Sequence, residues 1–135
     1  MNKKINKPKL GIKRYRVHDA DDTPPDLKKP IFSLSLLGGD YCLSKCERAE
    51  KASFADTLYR LSQLTWVQLR QADKHGLGYE KIERTSINAG IPNSIKDRSF
   101  IAFRFHGKAP MVGYRDQQVF YVVWIDRDFS LYNHG

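Results

Sequence analysis

The sequence has few of the residues that build metal sites and disulfide frameworks, with two cysteines and four histidines among 135 residues. Cys42 and Cys46 lie four positions apart and have no second pair, whereas a zinc site typically needs about four clustered ligands. The histidines do not supply that pair because they are scattered: His18, His75, His106 and His134. We therefore expect two ordinary reduced cysteines, no metal and no cofactor, with a redox or metal role for the cysteines as the alternative.

Long apolar segments and known catalytic motifs are also absent. No apolar run approaches the roughly 18 residues needed to cross a membrane, and the basic N-terminus lacks the apolar core of a signal peptide. These absences predict a cytoplasmic protein that does not bind a membrane. The sequence also contains no P-loop, Rossmann glycine pattern, G-x-S-x-G elbow or H-E-x-x-H motif. No motif therefore identifies a reaction.

What the sequence does have is positive charge, concentrated near the N-terminus. The formal net charge is +8, and residues 1–30 hold nine Lys and Arg against four Asp, together with four of the six prolines. We predict a basic, proline-containing arm and linker over residues 1–30 and a single domain over residues 31–135. Such an arm suits a nucleic-acid backbone, through Lys3, Lys4, Lys13, Arg14 and Arg16. A solubilising tail without a partner is the alternative.

The first half of the domain contains strand and helix patterns in turn. Ile31–Leu37 alternates apolar and polar residues, as a half-buried strand does. Lys45–Leu64 has apolar residues at helical spacing. Thr65 and Gln68 then have the form of a capping box that opens a second, shorter helix. A polar edge strand is predicted over Tyr79–Ile87.

Three further strands are predicted in the C-terminal third, at Phe100–His106, Met111–Arg115 and Val119–Asp126. Short links separate them, which favours an antiparallel meander. In the last strand two alternate sets are both apolar, with Phe120, Val122 and Trp124 on one face and Val119, Tyr121, Val123 and Ile125 on the other. Such a strand is central and covered on both sides. The helices cover one face, and the other is either a second small core or a surface for a partner.

The element order and the meander resemble a known group of proteins. Ala102–Phe105 resembles its arginine-bearing strand, Met111–Arg115 the next strand, and Val119–Asp126 with the tail through Tyr132 its final strand and end. On these segments, residues 31–135 resemble the RelE/ParE superfamily of small bacterial toxins. The resemblance implies an α+β fold in which a helix pair packs on a curved antiparallel sheet that ends in a three-strand C-terminal meander. The N-terminal arm and the strongly apolar last strand depart from the family's pattern.

For function, the resemblance implies a metal-free, ribosome-dependent mRNA endonuclease that an antitoxin keeps silent. The partners that the resemblance implies are RNA or the ribosome, together with an acidic antitoxin or another protein. The residues leave open whether the protein is an enzyme at all. The alternative is a non-enzymatic binding protein, a ParE-like inhibitor or an effector of a phage or mobile element, that acts on a protein or nucleic-acid target.

Cleavage of RNA by its own 2′-hydroxyl requires a base, a cation for the charge that develops on the phosphate, and an acid for the leaving 5′ oxygen. The candidates for these catalytic roles are Arg104, Arg115, His106, Tyr132 and His134. We expect the two arginines to face the same sheet surface from neighbouring strands. Beside them, the residues expected to bind nucleic acid are Lys81 and Arg84.

Each of these residues also has a purely structural interpretation. In that interpretation Arg104 and Arg115 solvate an outer sheet face, and His106 before its turn is merely exposed. His134 is disordered, and Tyr132 packs against Trp124. A metal-dependent nuclease built on Asp116, Asp126 and Asp128 is disfavoured, because acids at hairpin ends are usually turn formers.

Overall fold

The computed structural model describes residues 22–134. This part of the chain forms two α-helices and five strands, in the order β1 (Ile31–Ser33), α1 (Arg48–Leu61), α2 (Trp66–Gln71), β2 (Tyr79–Ile82), β3 (Phe100–His106), β4 (Ala109–Asp116) and β5 (Val119–Ile125). The strands make one sheet with the spatial order β1-β5-β4-β3-β2. The prediction of an α+β fold with a C-terminal meander is therefore confirmed.

The sheet is mixed, so the expectation of a wholly antiparallel sheet is wrong. Antiparallel pairing joins β2 through β5, whereas β1 runs parallel to β5. Parallel neighbours need a long crossover, and the chain supplies one because both helices and three strands separate β1 from β5. Phe32 lies opposite Phe120, and the two rings meet edge to face with their centroids 6.0 Å apart. This apolar contact stabilises the pairing of β1 with β5, the last strand of the chain.

Two of the predicted strands are shorter than their sequence patterns. β1 ends at Ser33 because the chain then turns, with the Leu37 N–H donating to the Leu34 carbonyl at 3.2 Å. β2 ends at Ile82, where the short 3-10 turn Arg84–Ser86 follows after one residue. In both places a local turn replaces the end of an alternating pattern.

Both helices begin with a capping box. The Thr65 hydroxyl accepts the Gln68 N–H at 3.2 Å, and the Gln68 side chain accepts the Thr65 N–H at 2.9 Å. The second helix therefore starts where the sequence predicts. The first helix begins later than predicted, at Arg48, because Glu47 and Glu50 form the equivalent box.

An ion pair joins the turn after β5 to the first turn of α1. Arg127 Nε donates to Glu50 Oε1 at 2.7 Å, and Arg127 Nη2 lies 3.6 Å from Glu47 Oε2. The hydrogen bond from Arg127, followed by that from the Glu47 backbone, lowers the pKa of Glu50. The C-terminal turn is thus held to a helix residue that lies 77 positions earlier in the chain.

Each face of the sheet carries a hydrophobic core. The core on the helix side is built by Phe54, Leu61, Trp66, Leu69, Phe103, Met111 and Phe120, among others. The core on the opposite side is built by Ile95, Phe100, Val112, Trp124, Leu131 and Tyr132, among others. The loop before β3 and the segment after β5 cover this second core. The face that the sequence left open is therefore a second small core.

A β-bulge in β5 changes which of its residues share a face. Trp124 and Val122 lie opposite consecutive residues of β4, so Val123 between them is an extra residue. Phe120 and Val122 consequently face the helices, whereas Trp124 belongs to the opposite core. The prediction that these three side chains share a face is wrong. The strands approach closely here, since a Cβ on Gly113 would lie 1.8 Å from a carbonyl oxygen of β5.

The last part of the predicted linker packs on the body of the domain. The backbone N–H of Trp66 donates to the Lys28 carbonyl at 3.0 Å. This bond satisfies a donor at the start of α2. Asp26 forms ion pairs with Arg70 of α2 and Arg115 of β4. These contacts join the segment just before β1 to both a helix and a strand.

Candidate functional site

A cleft of about 510 Å³ opens on the sheet face opposite the helices, between the edge strand β2, the neighbouring β3 and the C-terminal segment. The cations that line it are Lys74, Lys81, Arg104 and Lys108. Its acids are Glu80 and Glu83, and its ring side chains are Phe129, Tyr132 and His134. Because Lys74 pairs with Glu80 at 3.3 Å, the remaining charge of the cleft is mainly positive.

Strand alternation places Arg104 in this cleft. Ala102 and Arg104 line it, while Phe103 and Phe105 lie in the core on the helix side. Arg104 Nη1 lies 2.7 Å from His75 Nδ1. A guanidinium can only donate, so this histidine nitrogen is the acceptor. Arg104 is therefore positioned by a neutral nitrogen, and this contact leaves its positive charge available to an anion.

His134 reaches the same cleft with a buried carboxylate behind it. Asp126 is fully buried, and its Oδ1 accepts the backbone N–H groups of Ser130 at 2.9 Å and Leu131 at 3.1 Å. The other oxygen, Oδ2, lies 2.9 Å from His134 Nε2. A carboxylate in this position orients the imidazole and keeps Nε2 protonated. The nitrogen left for proton exchange is therefore Nδ1.

Tyr132 stacks on the His134 ring, with centroids 4.0 Å apart and planes inclined by 26°. It also belongs to the same core cluster as Trp124, so it has a structural role as well as a place in the cleft. Burial, followed by the charges of Glu80 and Asp126, raises the pKa of Tyr132 to about 12. Its hydroxyl is therefore protonated at neutral pH and is a hydrogen-bond donor.

Arg115 lies on the other side of the sheet. The β3–β4 register pairs Arg104 with Pro110, and Arg115, five positions further along β4, has the opposite alternation. Its guanidinium carbon lies 4.4 Å from the centre of the Trp66 ring. The expectation that the two arginines face the same surface is thus wrong, because the register of the hairpin decides it.

His106 also lies outside the cleft. A register shift between Arg104 and His106 interrupts the alternation at the end of β3. His106 Nδ1 is 2.8 Å from the hydroxyl of Ser53 on α1. Of the five predicted catalytic residues, the cleft therefore brings together three: Arg104, Tyr132 and His134.

The two predicted nucleic-acid-binding residues of the domain lie along the β2 edge. Lys81 lines the cleft and also a second depression of about 320 Å³, which it shares with Arg84 and Arg98. Positive side chains therefore extend from the cleft past the end of β2. The other predicted nucleic-acid-binding residues lie outside the described part of the chain: Lys3, Lys4, Lys13, Arg14 and Arg16.

Sequence reasoning missed Lys74, Lys108 and Phe129, and it assigned Asp126 only to a turn. Isolated lysines in loops carry no local signal that separates them from ordinary solvated charges. Asp126 does accept bonds within a turn, but its second oxygen orients His134. An aspartate directly after a buried strand, with a histidine eight residues later, was the available sign of this pairing.

Within residues 22–134, no three His, Cys, Asp or Glu side chains are grouped as ligands for a metal ion. No helix of this described segment is long and apolar enough to cross a membrane.

Fold and cleft together define an α+β protein with a five-stranded mixed sheet, two helices on one face and a basic cleft on the other. Comparisons with protein-family models, curated proteins and solved structures found no match for this chain. The residues of the cleft are therefore the basis for assigning a function.

Proposed function

We propose that this protein is a RelE-like toxin that cleaves mRNA on the ribosome without a metal ion. The observation that carries the proposal is the arrangement around His134. A fully buried Asp126 orients its imidazole, Tyr132 stacks on it, and Arg104 lines the same cleft. These groups match the base, acid and cation that cleavage by an RNA 2′-hydroxyl requires.

In the proposed reaction, His134 Nδ1 takes the proton of a ribose 2′-hydroxyl. The oxygen attacks the adjacent phosphorus, and the bond to the 5′ oxygen of the next nucleotide breaks. Tyr132 supplies a proton to that leaving oxygen. Its pKa, raised to about 12, keeps the hydroxyl protonated, and the leaving alkoxide is a stronger base than the phenolate that remains. The products are a 2′,3′-cyclic phosphate and a free 5′-hydroxyl. Asp126 stabilises the imidazolium that forms during the transfer.

The positive side chains of the cleft supply charge stabilisation. Arg104 donates to a neutral histidine nitrogen, a contact that does not offset its charge, and Lys108 lines the same cleft. Donors placed where negative charge develops typically contribute about 2.7–4 kcal/mol each to lowering a barrier. Lys81 and Arg84 would bind phosphates on either side of the scissile one. An acidic antitoxin that covers these cations would silence the protein.

The test is cleavage of an mRNA by the purified protein on translating ribosomes, with the 5′-hydroxyl ends mapped. His134→Ala and Arg104→Ala should each lower cleavage by at least about 100-fold, the range for general acid–base and charge-stabilising groups. Two matched controls lie outside the cleft. His106→Ala tests a histidine held by Ser53, and Arg60→Ala tests an arginine paired with Asp56 on α1. Both should keep full cleavage.

Equal cleavage by the His134→Ala and His106→Ala variants would contradict the proposal. Folded wild-type protein that arrests growth without any mRNA cleavage would favour the other function, a non-enzymatic inhibitor of a protein or nucleic-acid target.

A further inference from the structure

Phe129 is an aromatic residue at the cleft that the proposed reaction does not use. It is 46% exposed, whereas Phe100, Trp124 and Tyr132 on the same side of the sheet are buried. Phe129 lines the cleft, and its ring meets the His134 ring edge to face, with centroids 5.2 Å apart and planes at 83°. An exposed apolar ring therefore stands directly beside the imidazole.

The backbone of Phe129 is in an unfavourable conformation. Its φ is 62°, in the left-handed region that glycine and asparagine normally occupy. The turn holds it there, because Asp126 Oδ1 accepts the next two backbone N–H groups and the Ser130 hydroxyl donates to Asp128 at 2.7 Å. A bulky residue kept in a strained turn at a cleft points to a functional use of its side chain.

The surroundings indicate what such a ring would bind. Cations of the cleft, Lys81, Arg104 and Lys108, suit phosphates, and an exposed aromatic face beside them suits a nucleobase. Only a base that is not inside a duplex offers its face for stacking on a side chain. We propose that Phe129 is a base-stacking residue, and that the base belongs to single-stranded RNA.

This inference rests on the proposed function, since it places one base of the substrate in the same cleft. We call this position, the exposed ring of Phe129 beside His134, the base seat. A base on Phe129 would place its own ribose or the adjacent phosphate near His134. Stacking is tolerant of sequence because every base has an aromatic face. The base seat therefore supplies affinity and position, and it predicts little preference among the four bases.

Substitution of Phe129 by glycine separates stacking from folding. Glycine removes the ring and also relieves the strain of the positive φ, so Phe129→Gly should unfold no more easily than the wild type. Gln117→Gly is the matched control. Gln117 has a φ of 58° in the turn between β4 and β5, away from the residues that line the cleft. Phe129→Trp keeps an aromatic ring and adds a fluorescent reporter.

Binding is measured with a fully 2′-O-methylated RNA hexamer, which cannot be cleaved because its nucleophile is blocked. Phe129→Gly should weaken binding by roughly 5- to 100-fold, the range of base–aromatic stacking. Phe129→Trp and Gln117→Gly should bind like the wild type. A hexamer of the same phosphate chain without bases should bind wild type and Phe129→Gly equally. The RNA should also quench the added tryptophan of Phe129→Trp beyond any change in the wild-type protein.

Equal binding of the base-containing hexamer by wild type and Phe129→Gly would overturn the base seat, while cleavage by the wild type would leave the proposed function standing. Stacking and quenching without any cleavage on ribosomes would overturn the proposed function and support the base seat. No binding of the hexamer by the wild-type protein at low salt would overturn the base seat as well.

Discussion

At the scale of single residues, Asp126 connects the fold to the cleft. Its backbone N–H donates to the Pro110 carbonyl at 2.9 Å, so it continues the pairing of β5 with β4. Its side chain then closes the following turn and orients His134. A buried carboxylate with all these partners is stable in place, whereas one without them would be very costly.

We predict that Asp126→Asn lowers cleavage by at least about 100-fold, the contribution of a general base. Asparagine keeps an acceptor for the turn but directs its amide nitrogen toward the imidazole. The ring must then carry its proton on Nδ1, the nitrogen that should accept one. The cost in stability should be about 1–3 kcal/mol, measured by urea denaturation.

Asp116→Asn is the control for this substitution. Asp116 lies at the end of β4 in an exposed ion pair with Arg98, so its loss should change stability by less than about 0.5 kcal/mol. Cleavage should be unaffected. If Asp126→Asn cleaves like the wild type, His134 does not act as the base.

The charge of Asp26 should affect how the folding stability depends on pH in the acid range. Hydrogen bonds from Arg115 and then Arg70 lower its pKa. A group whose pKa is depressed on folding adds stability above its unfolded value, near pH 4, and loses that contribution as the pH falls through the folded value. We predict that Asp26→Asn flattens the loss of stability below about pH 4. Denaturant midpoints between pH 2 and 7 measure this, and parallel wild-type and variant curves would contradict it.

At the scale of elements, the segment before β1 behaves as part of the domain. Its carbonyl at Lys28 accepts the first N–H of α2, and Asp26 bridges α2 to β4. Its 3-10 turn at Pro25–Leu27 also lies against α2. These contacts attach the end of the predicted linker to the packed body of the domain.

We predict that removal of residues 1–21 leaves the thermal transition close to that of the full chain, while removal of residues 1–28 lowers stability by about 1–3 kcal/mol. The first deletion spares Asp26 and the Lys28 carbonyl, and the second removes both. The measurement is a thermal melt of both truncated proteins beside the full chain. Identical melts of the two would show that this segment adds nothing to stability.

At the scale of the whole molecule, the features that sequence predicted are those with local causes. The capping box at Thr65 and Gln68 and the strand Phe100–His106 depend on residues close in sequence, and both are confirmed. The face of Arg115 depends on the register of a hairpin. The face of Trp124 depends on a bulge that Gly113 permits by its missing side chain. The register of the hairpin and the position of the bulge leave no periodic pattern in the sequence. For this reason the sequence predicted only part of the residues that line the cleft.

We predict that RNA binding weakens with salt and that the arm contributes to this dependence. Each lost phosphate contact to single-stranded RNA reduces the log–log slope by about 0.7. Residues 1–21 hold five of the predicted contacts. Their deletion should reduce the slope by more than the value for one phosphate contact, about 0.7, without abolishing cleavage. Arg104→Ala should change the slope by about this single-contact value and remove cleavage. A slope unchanged by the deletion would show that the arm does not contact RNA.

Under the proposed toxin function, we predict a genetic consequence of the ion pair between Arg127 and the first turn of α1. It anchors the turn that carries Phe129 to a helix on the far side of the sheet. Cells that survive forced expression of the protein should therefore carry two kinds of substitution. Some should change the cleft itself, and others should fall at Glu50, a residue that lines no part of the cleft. Variants of the second kind should remain folded and accumulate normally while the turn has lost its anchor.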